Sequence, residues 1–290
     1  FDFAQGHSEE SESMNPFSAI GAAFDTFFIA PIINVMVFFI HVFSSIGIPG
    51  SLGLSIIALT IIIKILIWPF MTAQLRSTKK MADLKPHLDK LKEKHKDDRQ
   101  KMSQAQMALF KEHGVNPAAG CLPAIIQMPV FIALYQVIFA FFDSKSGLTR
   151  INDLTYSFIP DLQKMPSPQF LGLDLSHKPS DFGQYGWVLL LIPIITAALT
   201  FVQSKMMAPA PVKKYPSDSP AEKHEKQEKG DMASAMQSQM LYLMPLMIGF
   251  FSWQFPVGLA LYWNTFTVFG IIQQYKIAGL GGLGSWIKKK

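Results

Sequence analysis

Among the 290 residues there is one cysteine, Cys121, so an internal disulfide framework and a multi-cysteine metal site are both excluded. Its neighbours are apolar, and it reads as a small packing residue. No Lys or Arg precedes Lys64, which leaves no clear signal peptide. The chain begins at Phe1 and not at Met; the start reads as processed, trimmed or a fusion remnant, with Met14 a candidate natural start. There is no phosphate-binding glycine loop, no metal-ligand spacing and no nucleophile elbow. The seven histidines are scattered and read as solvated surface groups. Bond-making chemistry is not expected, so the chain reads as a non-enzyme that needs no cofactor. The long apolar runs also lack acids: apart from Asp25 in the first of them, none holds an Asp or Glu.

What is present is apolar sequence in blocks. Hydrophobic residues make up 49% of the chain, with 24 Phe and 15 Met. Leu52–Met71 is apolar almost throughout and carries one charge, Lys64. A helix of that length spans about 30 Å, the thickness of a bilayer's hydrocarbon core. A cation at such depth costs about 2.5–3.5 kcal/mol on insertion scales. Two readings of Lys64 stand. Its ammonium snorkels to the nearer interface, across about 10 Å of helix to the polar run at Thr72–Arg76. Or it faces a wet cavity, where water, polar side chains or an anionic substrate solvates it.

The charge distribution sets the topology. Residues 1–16 are an acidic, polar tail. Residues 17–50 hold an apolar stretch, Phe17–Phe43, interrupted by Asp25, Pro31, Asn34 and His41. It reads as a further span or as an interfacial helix, and topology favours the interfacial amphipathic helix on the outer face. A first span is expected over 51–75. Residues 76–115 contain ten Lys/Arg between Arg76 and Lys101, and so are cytoplasmic by the positive-inside rule. Met81, Leu84, Leu88 and Leu91, then Met102, Ala105, Leu109 and Phe110, predict a helical hairpin turning at Asp97–Asp98. That hairpin is either a solvated charged face or a docking element. A second span is expected over 116–142, an outer loop over 143–185 and a third span over 186–207. A flexible cytoplasmic loop follows at 208–233, then the fourth and fifth spans as a tight hairpin over 234–275. A basic cytoplasmic tail occupies 276–290. The expectation is an all-α integral membrane protein with five transmembrane helices, N-terminus out and C-terminus in.

The run Asn116–Tyr135, NPAAGCLPAIIQMPVFIALY, closely resembles the opening of the second core span of bacterial YidC membrane insertases, members of the Oxa superfamily. Pro256–Asn264, PVGLALYWN, and the Gln273–Gln274 pair resemble that family's last span. The resemblance covers roughly Pro31 to Lys276, and its second-span motif is highly specific. In two respects the sequence departs from the family. Lys64 stands where the family usually has Arg, which keeps the charge but loses the bidentate fork. The large periplasmic domain and extra leading span of some members have no counterpart here, and no role tied to them is carried over.

The resemblance implies a short five-span insertase and chaperone of the bacterial cytoplasmic membrane, whose spans enclose a hydrophilic groove. Its partners would be nascent membrane proteins and the lipid bilayer, with the ribosome and Sec translocon as further candidates, and no small-molecule substrate. Lys64 would be the groove charge, with Thr60 one turn before it and Trp68 one turn after on the same face. Thr60, Gln127, Thr196, Thr200, Gln203, Tyr262 and Asn264 are candidates for the polar wall, though ordinary interhelix hydrogen bonding explains each as well. Phe131, Leu134, Ile138, Met244 and Met247 would form an apolar slide for the client. Lys213, Lys214, Lys288, Lys289 and Lys290 would touch ribosomal RNA or anionic headgroups. A small-solute channel or transporter and a membrane-protein assembly adaptor are the competing functions. The first would show inverted repeats and paired intramembrane charges, neither of which is found.

Overall fold

The structure, a computed structural model, describes residues 16–95, 98–115, 122–208 and 232–287. The first helical stretch comprises α1 (Pro16–Phe24), a π-helical turn (Asp25–Ile29) and α2 (Ala30–Ser45). Pro31 lies in the first turn of α2. Its missing N–H and its ring disfavour the regular hydrogen bond there. The Ala30 N–H instead reaches Asp25 O, five residues back, and the helix continues through a wide turn.

Gly50, with φ of 77°, turns the chain into α3 (Ser51–Leu66). The run expected as one straight span over 51–75 is broken. α4 (Trp68–Asp83) leaves α3 at a bend of 62°. Pro69 causes it, because it has no N–H for the Ile65 carbonyl and its ring crowds that oxygen. Lys64 therefore sits in the last turn of a helix, not in the middle of one.

α4 runs on into α5 (Lys85–Lys94), which packs against α6 (Arg99–Glu112) as a helical hairpin. Asp98 caps α6, its Oδ1 accepting from Gln100 N at 3.1 Å and Lys101 N at 2.9 Å. Leu84, Phe110 and Val115, with Met81 and Leu88, form a small separate core at the hairpin's base.

α7 (Leu122–Phe142) follows, with Pro129 inside it. Residues 143–185, expected as a polar loop, fold into an ordered connector. It contains α8 (Gly147–Asp153), a two-stranded hairpin of β1 (Gln169–Phe170) and β2 (Leu173–Asp174), and α9 (Phe182–Tyr185). Leu171 and Gly172 both have positive φ, as a two-residue hairpin turn requires. Then come α10 (Leu191–Met207), α11 (Met232–Gln254), the Phe255–Pro256 turn, α12 (Val257–Ala278) and α13 (Gly281–Ile287).

The connector is bolted to one end of the bundle. Asn34 donates to Leu154 O at 2.8 Å and accepts from Tyr156 N at 2.6 Å. The Phe170 ring packs so closely on α3 that a Cβ on Gly53 would come within 2.4 Å of it. His177 O and Leu175 O accept from the Val257 and Gly258 N–H groups, satisfying two free donors at the start of α12. The main core lies between α2, α3, α7 and the beginning of α12, built on Ile33, Met36, Ile56, Leu134, Ile138 and Tyr262.

Among the described residues, Ala19–Ser45 and Trp187–Met207 are single helices long and apolar enough to cross a membrane. The bent pair α3 and α4 qualifies as a third when taken together. The N-terminal stretch thus has crossing length, which is compatible with both expected placements, a further span or an interfacial helix.

Candidate functional site

Lys64 is 1% exposed. Its Nζ lies 3.3 Å from the centre of the Phe266 ring on α12. No carboxylate among the described residues pairs with it. Two features offset the cost of burying the charge. A cation over an aromatic face contributes about 2 kcal/mol when desolvated. The last turn of α3 adds its carbonyl ends and the negative pole of the helix, worth about 1 kcal/mol. Together these match the insertion cost of a lysine in order of magnitude. The ammonium is thus held behind an aromatic ring.

α10 approaches the same point. A Cβ on Gly270 of α12 would lie 3.5 Å from Lys64 Nζ and 2.4 Å from Gln203 Nε2. Gly270 thus leaves the space in which α3, α10 and α12 meet over the charge. Tyr262, Phe266, Gly270 and Gln274 recur at i+4 on α12, the spacing of one helix face.

The expected polar wall is brought together in part. Gln127 Nε2 donates to Tyr262 Oη at 2.7 Å, joining α7 to α12. Thr196 donates to Ile192 O and accepts from Ser252 of α11 at 3.3 Å. Thr200 donates to Thr196 O and accepts from Trp263 Nε1 at 3.4 Å. Thr60 donates to Ile56 O within its own helix. Asn264 stands apart: its Oδ1 is buried without a partner among the described residues, and it lies off the Tyr262 face of α12. Trp68 is beyond the bend, so it does not continue the Lys64 face of α3. Its carbonyl accepts from Gln273 Nε2 at 3.2 Å.

A cavity of about 300 Å³ lies beside this wall, between α7 and α11. Met128 and Phe131 line it from α7, Ile248 and Phe251 from α11, and Leu259 and Trp263 from α12. Gln127, Thr196 and Ser252 are its polar edge.

Of the expected apolar slide, Phe131 lines this cavity, and Met244 and Met247 are each 45% exposed on α11. Leu134 and Ile138 are 0% and 1% exposed in the main core and do not line the cavity. Among the described side chains of α7, the exposed large apolar ones are Ile125, Met128 and Ile132. α7 is apolar on every side, and such a sequence has no period from which facing can be read. Phe266, Gly270, Ser252 and Trp263 were missed as site residues. The i+4 recurrence from Tyr262 would have found the first two. Lys213, Lys214, Lys288, Lys289, Lys290 and residues 116–121 of the second-span motif lie outside the described residues.

The sequence profile of the family described as 60Kd inner membrane protein matches residues 42–280. Membrane protein insertase YidC 1 of Halalkalibacterium halodurans is 35% identical over 259 residues, covering 88% of this chain and 79% of that protein. Membrane protein insertase YidC of Rickettsia rickettsii is 35% identical over 236 residues, covering 80% of this chain and 36% of that protein. The YidC of Ectopseudomonas mendocina is 36% identical over 232 residues. The chain thus spans about a third of the length of the Rickettsia relative (36%). A crystal structure of an active YidC insertase with its first transmembrane domain resolved shares the fold, with a TM-score of 0.51 at 22% identity. The match covers 90% of this chain and 51% of that one. This chain belongs to the 60Kd inner membrane protein family, that of the YidC insertases.

Proposed function

We propose that this chain inserts nascent membrane proteins into the bilayer and aids their folding, without hydrolysing ATP. Membership of the family supports this, and one observation carries it. The apolar faces of α7 and α11 part around a cavity edged by Gln127, Thr196 and Ser252. A client helix can lie against Met128 and Phe131 on one side and Ile248 and Phe251 on the other, with exposed Met247 next to Ile248 on α11. Methionine-rich surfaces suit varied clients because the side chain is flexible and polarisable. The client's polar tail would lie toward the inner wall, attracted by Lys64.

In this reading the groove hydrates on engagement. Phe266 screens Lys64 at rest, and an acidic tail displaces that ring. Release of the client's apolar segment into lipid is then driven by about 25 cal/mol per Å² removed from water.

We place five crossings at α3 with the start of α4, α7, α10, α11 and α12, with the N-terminus out. The basic hairpin α5–α6 and the lysine-rich segments lie in the cytoplasm. Asn34 and His41 support an interfacial α2. Seven positions apart, both bond to the connector, His41 Nε2 meeting Pro160 O at 2.8 Å. In this reading α2 follows the connector along the membrane surface, although its length would also allow it to cross.

The experiment is reconstitution. Proteoliposomes of the purified chain, given a client with an acidic tail and no nucleotide, are expected to render the client's span protease-protected. Solute flux without protection would assign the chain to channels instead. Lys213, Lys214 and Lys288–Lys290 are proposed to contact ribosomal RNA or anionic lipid. Removing Lys288–Lys290 should flatten the salt dependence of ribosome binding if RNA phosphates are the partner.

A further inference from the structure

Where α7 ends, a second cavity of about 330 Å³ opens on the surface, unlike the first in chemistry. Tyr135, Gln136 and Phe139 of α7 line it, together with Asp143 and Ser146 from the following turn and Arg150 of α8. It takes no part in the polar wall or in the gap between α7 and α11.

Arg150 Nη2 donates to Gln136 Oε1 at 3.2 Å, which fixes the guanidinium over the pocket with one of its five N–H donors. Asp143 is also fixed. Its Oδ2 accepts from Ser146 Oγ at 2.6 Å and its Oδ1 from Lys145 N at 2.9 Å. These bonds, the Ser146 hydroxyl first, hold its carboxyl below the usual carboxylate range, so it is charged at neutral pH. Each oxygen has a further lone pair to offer. Arg150 and Asp143 make no ion pair with each other. A cation and an anion therefore line one pocket without neutralising each other. Tyr135 and Phe139, with ring centres 4.4 Å apart, supply an apolar wall.

The position matters as much as the charges. Tyr135 meets Phe255 at 5.8 Å, and Phe142 packs on Gly258, so this is the end of the bundle where α12 begins. Phe182 joins that end to Trp253 and to exposed Trp187. Tryptophan and tyrosine gather in this way at the boundary between hydrocarbon and water. Lipid phosphates lie at that height.

We propose that this pocket binds the phosphoethanolamine headgroup of a membrane lipid. Arg150 holds the phosphate, Asp143 accepts from the ammonium, and the acyl chains run along Tyr135 and Phe139. A purely anionic headgroup would meet Asp143 as a like charge. A trimethylated ammonium has no N–H for that carboxylate to accept. The inference uses the placement of this end at the membrane boundary and is independent of insertion activity.

The test is lipid retention by the full chain. The protein is reconstituted in vesicles of equimolar phosphatidylethanolamine, phosphatidylglycerol and phosphatidylcholine with matched acyl chains. Co-purifying lipid is then counted by native mass spectrometry. Phosphatidylethanolamine is expected in excess over the other two. Arg150→Gln should lower retention of all three, by about ten-fold for one charge-assisted contact. Asp143→Asn should keep phospholipid but abolish the preference over phosphatidylglycerol. It stands alone as the test if Arg150→Gln loses its helical circular dichroism. Equal retention of the three lipids, or an unchanged preference in Asp143→Asn, overturns the proposal. If free phosphoethanolamine binds as tightly as the lipid, the ligand is soluble and the lipid assignment falls. Lost lipid selection with client insertion intact strikes this inference alone.

Discussion

Gln273 on α12 donates its side-chain Nε2 to the carbonyl oxygen of Trp68, 205 positions away in sequence, at 3.2 Å. The same nitrogen lies 3.3 Å from Thr72 Oγ1. Both acceptors belong to the first two turns of α4, just past the bend. Gln273 therefore straps α4 to α12 and sets the direction in which the chain leaves Lys64. Gln273→Leu keeps the bulk and removes the donor. It is expected to destabilise the protein by about 1–3 kcal/mol, the cost of unsatisfied buried polar groups. Thermal unfolding in detergent measures it. Gln273→Met, of similar length and likewise without a donor, should be as harmful. A Tm equal to wild type in both variants would rule out the strap.

Lys64 separates stability from function. Replacing a buried cation by an apolar side chain of similar volume is often neutral or stabilising. Lys64→Met should therefore unfold at or above the wild-type temperature, yet fail to insert clients with acidic tails. Lys64→Arg should insert them, because the charge remains. Insertion by Lys64→Met at the wild-type rate would show that the charge is not required for those clients.

Phe170 on the connector and Gly53 on α3 form a mutual fit. A Cβ on Gly53 would come within 2.4 Å of the ring, so Gly53→Ala must shift the Phe170 ring or the β-hairpin that carries it. Overpacking of this kind costs about 1–3 kcal/mol. Phe170→Ala should cost stability too, through lost packing. The double variant should lose less than the sum, because removing the ring removes the clash. Strict additivity of the two unfolding shifts would mean that the residues do not meet.

Much of this architecture is legible in the sequence, for a physical reason. Blocks of apolar residues, a dense cationic segment and a capped hairpin are each local signals. Lys64 is conspicuous because a lone charge in an apolar run needs an explanation wherever it sits. What was lost depended on distant partners. The bend at Ile67 has a local cue in Pro69, but the apolar run through it hides the break. Leu134 and Ile138 could not be oriented, because α7 offers greasy residues to every direction. Phe266 reads as one more aromatic on an apolar helix until α3 is folded beside it. The order in the connector rests on Asn34 and Phe170, whose partners are a hundred residues away.

Asp98 makes the hairpin sensitive to acid. The Lys101 backbone N–H, then its side chain, holds the carboxyl below the ordinary carboxylate range. A group whose folded pKa is depressed adds stability above its unfolded pKa and loses it as pH falls through the folded value. Helicity of the α5–α6 hairpin should therefore be constant near neutrality and fall in the acid range below the unfolded carboxylate pKa. Hydrogen exchange of the amides at Gln100 and Lys101 reads this directly. Asp98→Asn keeps an uncharged cap, and its protection should lose that part of the pH dependence. A wild-type profile in Asp98→Asn would assign the acid effect elsewhere.

The proposed client path is testable one residue at a time. Met128 on α7 lines the cavity and is exposed, and Met247 on α11 is exposed next in sequence to its lining residue Ile248, whereas Leu134 and Ile138 are enclosed by the core. Photo-crosslinking residues placed at each position during client synthesis should capture the client from Met128 and Met247. From Leu134 and Ile138 they should capture none. The core pair also differs in stability: Leu134→Ala should cost about 2–5 kcal/mol as a cavity in packed surroundings. Met247→Ala, half exposed to lipid, should change the unfolding temperature little. Strong capture from Leu134 or Ile138 would mean that the bundle opens through its core during insertion. The gap between α7 and α11 would then not be the path by which clients reach the lipid.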